Sequence, residues 1–341
     1  MKVAVFEAED WEQESFHALS AEHEVRFSKK RLTGKIASDF EEAEIISPFI
    51  YSQLDENVLQ HFSNLKLIAT RSTGFDHIDT DFCKENRIAI SNVPAYGDNT
   101  VAEHVFGLLL TISHNLVQAI DRTRRGDFSM QGLMGFDLLG KTLGVIGTGN
   151  IGLFVLEIAK GFQMDTIAYD VFPKEEAASK FGFRYVGMDE LLSESDIISL
   201  HVPANKNTYH MISTKEFEKM KNNVVLINTS RGTVVDVLAL TQALAEGKIA
   251  AAGLDVLPEE PGIREEAELL RSIFREKHDL ETILANHILL RMRNVYITPH
   301  SAFNSREAVQ RILDTTVENI ESFAEGEPKN LVLDLNRSRK S

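Results

Sequence analysis

The stretch Leu143-Gly-Val-Ile-Gly147-Thr-Gly149-Asn-Ile-Gly152 constrains this chain most, because it joins an apolar strand to a helix through glycines at a fixed spacing. Gly147 permits the tight turn, Gly149 lets the backbone approach a diphosphate, and Gly152 lets the following helix, FVLEIAKGF, pack closely on the strand. The helix start then offers amide groups and a positive dipole end to that diphosphate. A plain glycine turn needs neither the strand before it nor the helix after it. Asp170 ends the next strand candidate, DTIAYD, 18 residues past Gly152. Its carboxylate suits a ribose 2′-hydroxyl and repels a 2′-phosphate, so the motif predicts NAD in preference to NADP. Lys174 is the one neighbour that favours the alternative.

Such a turn belongs to a parallel α/β sheet, and short apolar runs recur along the chain at the matching rhythm. A first series comprises KVAVF (2–6), HEVRF (23–27), AEIISPFI (43–50), LKLIAT (65–70) and IAISNV (88–93). A second comprises KTLGVIG (141–147), DTIAYD (165–170), DIISLHV (196–202), NVVLINT (223–229), AAAGLDV (250–256) and NVYITPH (294–300). Several runs are apolar throughout, as expected of strands covered on both faces. Between the series, one long helix is predicted to start at Thr100 with a capping box to Glu103, its apolar stripe running from Val101 through Ile112 to Leu116 and Ile120. The segment 303–325 is again helical and is expected to return to the first domain, which makes the second an insertion. A length of 341 residues accommodates two such domains.

Charge and composition remove several function classes. With 36 basic and 51 acidic residues the net charge is −15, which repels phosphate backbones and anionic lipid, so neither nucleic acid nor a membrane is an expected partner. A single cysteine, Cys83, excludes an intrachain disulfide and a thiolate metal cluster, and no metal is expected. No signal-peptide pattern and no run of membrane-spanning length is present, so the expected location is the cytoplasm.

Polar segments end three strands of the second series: Asn228-Thr-Ser-Arg231-Gly232, Gly253-Leu-Asp255-Val-Leu-Pro-Glu259-Glu260-Pro261, and Thr298-Pro-His300-Ser-Ala-Phe303. An isolated Arg, Glu or His reads as a surface charge. Together they supply an Arg to clamp a carboxylate, a His to move a proton and a Glu to hold the imidazole, the set needed to reduce a 2-keto acid with NADH.

With these segments, and with Thr70-Arg-Ser-Thr-Gly-Phe-Asp-His-Ile-Asp79, Asn92-Val-Pro-Ala-Tyr96, Val101-Ala-Glu-His104 and Leu200-His-Val-Pro203, the sequence resembles the D-2-hydroxyacid dehydrogenase family over nearly its whole length, and within it the D-lactate dehydrogenase branch. The resemblance implies an α/β fold of two Rossmann-like domains with doubly wound parallel sheets. A nucleotide domain at 101–301 would be inserted in a flavodoxin-like substrate domain formed by 1–100 and 302–341. It implies Arg231 as the binder of the substrate carboxylate and keto oxygen, His300 as acid/base and Glu260 as its partner. Loop amides around Ser72, Thr73 and Gly74 would hold the carboxylate, and Tyr96 and Phe303 would line the pocket. On the cofactor side it implies Val101, Gly147, Thr148, Gly149, Asn150, Ile151, Gly152, Asp170, His201, Val202, Pro203, Thr229, Ser230 and Asp255.

The implied reaction is NAD-dependent interconversion of pyruvate, or a similar short 2-keto acid, with its D-2-hydroxy acid, by an expected homodimer. Glyoxylate, hydroxypyruvate and branched keto acids stay open as substrates, as does a dinucleotide-sensing corepressor, which the absence of a basic patch disfavours. Asn150 stands where many relatives carry a basic residue. Glu259 adjoins Glu260, which is assigned by its spacing of 29 residues from Arg231 and by Pro261. The stretch 262–293 is longer than in the phosphoglycerate branch, and its helical periodicity suits a surface helix or a partner contact equally.

Overall fold

A computed structural model describes residues 1–258 and 280–333. The chain divides into two compact units, one of Met1–Tyr96 with Ser305–Ser341 and one of Gly97–Asn304. The first holds strands β1 (Lys2–Phe6), β2 (Glu24–Ser28), β3 (Ile45–Ser47), β4 (Leu67–Ala69) and β5 (Ala89–Ser91). The second holds β6 (Thr142–Ile146), β7 (Asp165–Tyr169), β8 (Arg184–Tyr185), β9 (Ile197–Leu200), β10 (Val224–Asn228), β11 (Ile249–Leu254) and β12 (Val295–Ile297), and β13 (Leu331–Leu333) returns to the first. The sheet orders are β13-β5-β4-β3-β1-β2 and β12-β11-β10-β9-β6-β7-β8. Every strand pair is parallel except β13 with β5, so both units have the doubly wound α/β architecture.

Alternate residues of the central strands serve opposite faces of the second sheet. Ile198, Leu200, Val224 and Leu226 join one apolar cluster, while Ile197, Val225 and Ile227 join another with Val145 and Leu156. Both faces are covered, so the strands have no solvent side on which to place polar residues. The chain runs outward from β6 to β7 and β8, and the other way from β9 to β12. That reversal opens a crevice at the carboxyl ends of β6 and β9, the place where open α/β sheets take ligands.

Local signals were less reliable guides than this rhythm. The helix predicted from Thr100 begins at Asp98, with Gly97 at its N-cap. Glu103 does not form the predicted capping box, because its carboxylate accepts from Asn99 Nδ2 (3.1 Å). Nor does the helix run on to Ile120. It ends at Ser113, Asn115 turns left-handed (φ 51°), and a separate helix spans Leu116–Arg124. The returning segment takes up the carbonyl that continuation would have used, since the Phe136 amide donates to Ser113 O (2.9 Å), and Asn115 Nδ2 donates to Met134 O (3.2 Å). Leu116 and Ile120 therefore lie on an exposed face, at 41% and 47%. Strands β8 and β13 carry no apolar run long enough to announce them.

The helix Arg306–Ala324 lies in the first unit. Ser305 caps it by accepting from the Ala308 amide (3.2 Å), and Val309, Ile312, Leu313, Thr316, Asn319 and Ile320 form its buried stripe.

Candidate active site

The glycine turn stands at the crevice between β6 and β9. Gly147 has φ 97°, and a Cβ there would press on the His201 carbonyl; a Cβ at Gly152 would overlap the Gly147 carbonyl. Only glycine fits at these two positions, because the obstacles are backbone atoms that cannot move aside. At Gly149, by contrast, an added Cβ would meet nothing within 4 Å. Among the described residues no acceptor takes up the amides of Gly149, Asn150 or Ile151 at the start of the helix Asn150–Gly161. Open space beside unsatisfied amides fits a diphosphate. The side chain of Asn150 donates to Asp98 (3.1 Å), which ties this helix start to that of Asp98–Ser113, where Val101 occupies the first turn.

Asp170, just past β7, accepts from the Thr148 amide (2.6 Å) and hydroxyl (2.9 Å) and from the Phe172 amide (2.9 Å). Desolvation pushes its carboxyl up, but the Phe172 and Thr148 hydrogen bonds and Lys174 outweigh it and hold Asp170 below the usual carboxylate range. It is therefore ionised at neutral pH and would oppose a 2′-phosphate. Replacing Asp170 by Ala should narrow the preference for NADH over NADPH by about tenfold, the equivalent of about 1.4 kcal/mol. The ratio of catalytic efficiencies is the measurement to make, because Thr148 also loses an acceptor and both cofactors bind less well. Equal use of both cofactors by the unmodified protein would remove Asp170 from this role.

After β9, the His201 amide donates to Ile146 O (2.8 Å), and its Nε2 pairs with Ser199 Oγ (2.8 Å). Desolvation pushes the His201 pKa down to about 3, so its imidazole is neutral at working pH and cannot be a proton donor. Val202 abuts the Gly147 turn, and the exposed Pro203 accepts from Thr208 Oγ1 (2.6 Å) through its carbonyl. Thr229, after β10, is 9% exposed, and its buried hydroxyl has no hydrogen-bond partner among the described residues. An orphaned hydroxyl at this edge fits a group that the cofactor would bring.

The next two residues form the Arg231 turn. Asn228 Oδ1 accepts from the Ser230 amide (3.0 Å) and hydroxyl (2.8 Å), its Nδ2 donates to Arg231 O (3.0 Å), and Arg231 Nη1 donates to Ser230 O (2.8 Å). One guanidinium N–H is thus taken up by its own loop, and Arg231 is partly buried.

His300 sits beyond β12 in left-handed backbone, φ 53°, which costs strain in a residue with a Cβ. Asp255 holds it there. The His300 amide donates to Asp255 O (3.0 Å), while the Asp255 carboxylate, 1% exposed, accepts from the Ser301 and Ala302 amides (both 2.9 Å) and from the Thr298 hydroxyl. A hydroxyl has one proton, so Thr298 must accept from His104 Nε2 (3.0 Å), which fixes that tautomer. Asp255 is an expected cofactor residue; its carboxylate and carbonyl bond the His300 loop, while its amide donates to Asn228 O (2.9 Å). Phe303 follows directly and is partly buried. Glu260, expected beside His300, and Glu259 lie outside the described residues, as does 262–279. Leu280–Leu289 from the same stretch is a helix.

In the first unit, Ser72, Thr73 and Gly74 follow β4, and Tyr96 follows β5. Among the described residues nothing accepts from the amides of these three loop residues. Ser72 Oγ donates to Gly74 O (2.7 Å), Thr73 Oγ1 donates to Val93 O (2.7 Å), and the Tyr96 carbonyl accepts from Arg311 Nε.

Site residues thus gather at or just past strand carboxyl ends in each unit, Asn150 to Gly152 in the first turn of the helix that follows β6, apart from Val101, which is on the helix Asp98–Ser113. Asn228, Thr298 and His104 stand in the motifs quoted above but have no role in the expected site. Asn228 could have been found as a polar residue closing an otherwise apolar strand. His104 could not, because its link to Thr298 spans 194 residues.

A doubly wound sheet with this turn and a carboxylate at the next strand end defines a dinucleotide-binding protein. The model of the D-isomer-specific 2-hydroxyacid dehydrogenase NAD-binding domain matches residues 106–302. The chain is 36% identical to a D-lactate dehydrogenase of Escherichia coli, with 97% of this chain and all of that one covered. It is 37% identical to a glyoxylate reductase of Thermococcus litoralis, covering 88% and 86%. A D-lactate dehydrogenase of Aquifex aeolicus, solved with NAD and lactic acid, superimposes with a TM-score of 0.86 at 36% identity, covering 97% and 99%. The chain belongs to the D-isomer-specific 2-hydroxyacid dehydrogenases, and is an NAD-dependent oxidoreductase acting on the CH–OH group of D-2-hydroxy acids. Among the described residues no helix is long and apolar enough to cross a membrane.

Proposed function

We propose that the protein interconverts pyruvate, or a similarly short 2-keto acid, with its D-2-hydroxy acid. The observation that carries this reading is His300, held in strained backbone by Asp255 at the same sheet edge as the glycine turn and Arg231. The bound cofactor would supply the hydride for reduction as NADH, leaving as NAD+, and would accept it as NAD+ in the reverse direction. Arg231 binds the substrate carboxylate and polarises the keto oxygen; within the first unit, the amides of Ser72, Thr73 and Gly74, which have no acceptor among the described residues, form a donor set for a carboxylate. His300 donates a proton to that oxygen during reduction and withdraws it during oxidation, with Glu260 holding the imidazole. Phe303, beside the His300 loop, lines the substrate pocket on that unit.

Similarity to the Escherichia coli and Aquifex aeolicus enzymes supports the short substrate, and similarity to a glyoxylate reductase supports glyoxylate as the alternative. A panel of 2-keto acids with NADH decides between them. The highest kcat/KM should fall on pyruvate; a peak on glyoxylate or hydroxypyruvate would favour the second reading, and oxidation of NADH with none of them would sink both.

A homodimer is part of the same proposal. Phe128, Met130, Met134 and Leu139 are 81%, 85%, 94% and 65% exposed, and they follow the exposed apolar face of Leu116, Val117 and Ile120. So much apolar surface in one segment is unusual for a monomer and suits a second copy of the chain. Light scattering should give twice the chain mass, and Phe128→Asp with Met134→Asp should halve it. A monomeric unmodified protein would refute the assembly.

A further inference from the structure

We propose that Asn319, on the helix Arg306–Ala324, is a positioning residue for the substrate-carboxylate loop Ser72–Gly74, acting through Asn92; this rests on the reading of that loop given above. Asn319 is 1% exposed on an otherwise largely apolar helix stripe, where an aliphatic side chain would pack without needing partners. Its partners form a directed chain. Asn330 Nδ2 donates to Asn319 Oδ1 (2.8 Å), Asn319 Nδ2 donates to Asn92 O (2.9 Å) across 227 residues, and Asn92 Nδ2 donates to Thr73 O (2.7 Å). The Asn92 amide returns to Asn330 O (3.1 Å), which closes the connection. Backbone carbonyls only accept, so Asn92 and Asn319 must each present Nδ2 inward, and Asn319 Oδ1 is left to face Asn330.

The consequence lies in the peptide planes of the loop. In a trans peptide the C=O and the next N–H point in opposite directions. Anchoring Thr73 O to Asn92 therefore turns the Gly74 N–H away from Asn92. Anchoring Ser72 O to the Val93 amide (3.0 Å) does the same for the Thr73 N–H. These are two of the three loop amides with no acceptor among the described residues, so two consecutive donors are aimed by two carbonyl anchors, and the Asn319 chain secures one of them. Preorganised donors of this kind spare the substrate the cost of ordering the loop.

The test compares Asn319→Asp, Asn330→Ala and Gly74→Pro in the full-length protein, reading KM for the preferred keto acid, NADH affinity by fluorescence titration, and thermal unfolding. Asp keeps the shape of Asn319 but sets an oxygen against Asn92 O. It should raise KM for the keto acid about tenfold, since small misplacements of binding groups have effects of that order or larger. NADH affinity should stay within about twofold, because the glycine turn belongs to the other unit. Asn330→Ala should give a smaller change of the same kind, about threefold, and decides the matter alone if Asn319→Asp does not fold. The inference falls if folded variants leave KM within about twofold, or if KM and NADH affinity worsen together with a lowered unfolding temperature. Gly74→Pro removes one of the aimed amides. If it leaves KM unchanged, the reading of the loop fails; if it raises KM while Asn319→Asp and Asn330→Ala do not, the reading stands and only the role of Asn319 is lost.

Discussion

Replacing His300 by Asn is expected to lower kcat for keto-acid reduction by about 10²- to 10⁴-fold, the range that a general acid contributes. Asn suits the test because it tolerates left-handed backbone, so the φ of 53° at this position persists without the imidazole. The Ser301 and Ala302 amides stay on the Asp255 carboxylate, and the loop keeps its shape. NADH affinity should accordingly change little, and the loss should appear in turnover. His201 offers no bypass, because a pKa of about 3 leaves it neutral when a proton is needed. Steady-state kinetics with a fluorescence titration of NADH separates the two effects. A kcat within threefold of the unmodified protein would take His300 out of the proton step.

For Arg231→Lys the expected loss is in binding as well as turnover. A guanidinium meets a carboxylate with two parallel hydrogen bonds, whereas an ammonium is a point charge on a flexible stem. A hydrogen bond to a charged group contributes about 1.5–3 kcal/mol, so kcat/KM should fall about 10- to 100-fold, with much of the change in KM. The turn itself should survive. Asn228 holds it through the Ser230 amide and hydroxyl and the Arg231 carbonyl, and none of these three bonds uses the guanidinium. Addition of free guanidinium compounds offers a further check, since partial recovery of KM would place the lost group at the carboxylate. Unchanged kinetics for Arg231→Lys would remove it from the site.

The sheets were legible in the sequence because their signal is collective. Each central strand is covered on both faces, which leaves an uninterrupted apolar run that a reader meets repeatedly at one interval. The glycine turn was legible for a different reason. At Gly147 and Gly152 backbone atoms stand where a side chain would go, so one residue type satisfies the geometry, and the requirement is written directly in the sequence. Helix limits were misread where two local signals competed. Thr100 and Glu103 match a capping box, yet Asn99 claims the Glu103 carboxylate. The stripe through Ile120 is periodic, yet the segment around Phe136 returns to end the first helix at Ser113.

What the sequence determined by itself was the fold class, the dinucleotide turn and the family, because each follows from short-range patterns with few physical alternatives. Only the tertiary structure decided which polar residues stand behind the reacting ones. Asp255 fastens the His300 loop, His104 meets Thr298, and Asn319 reaches Asn92, all through hydrogen bonds between residues far apart in the chain. A buried polar side chain must find a partner, but nothing local says which one. The choice is made when the fold brings distant segments together, and there a carbonyl, amide or hydroxyl from a remote part of the chain comes within about 3 Å and satisfies it.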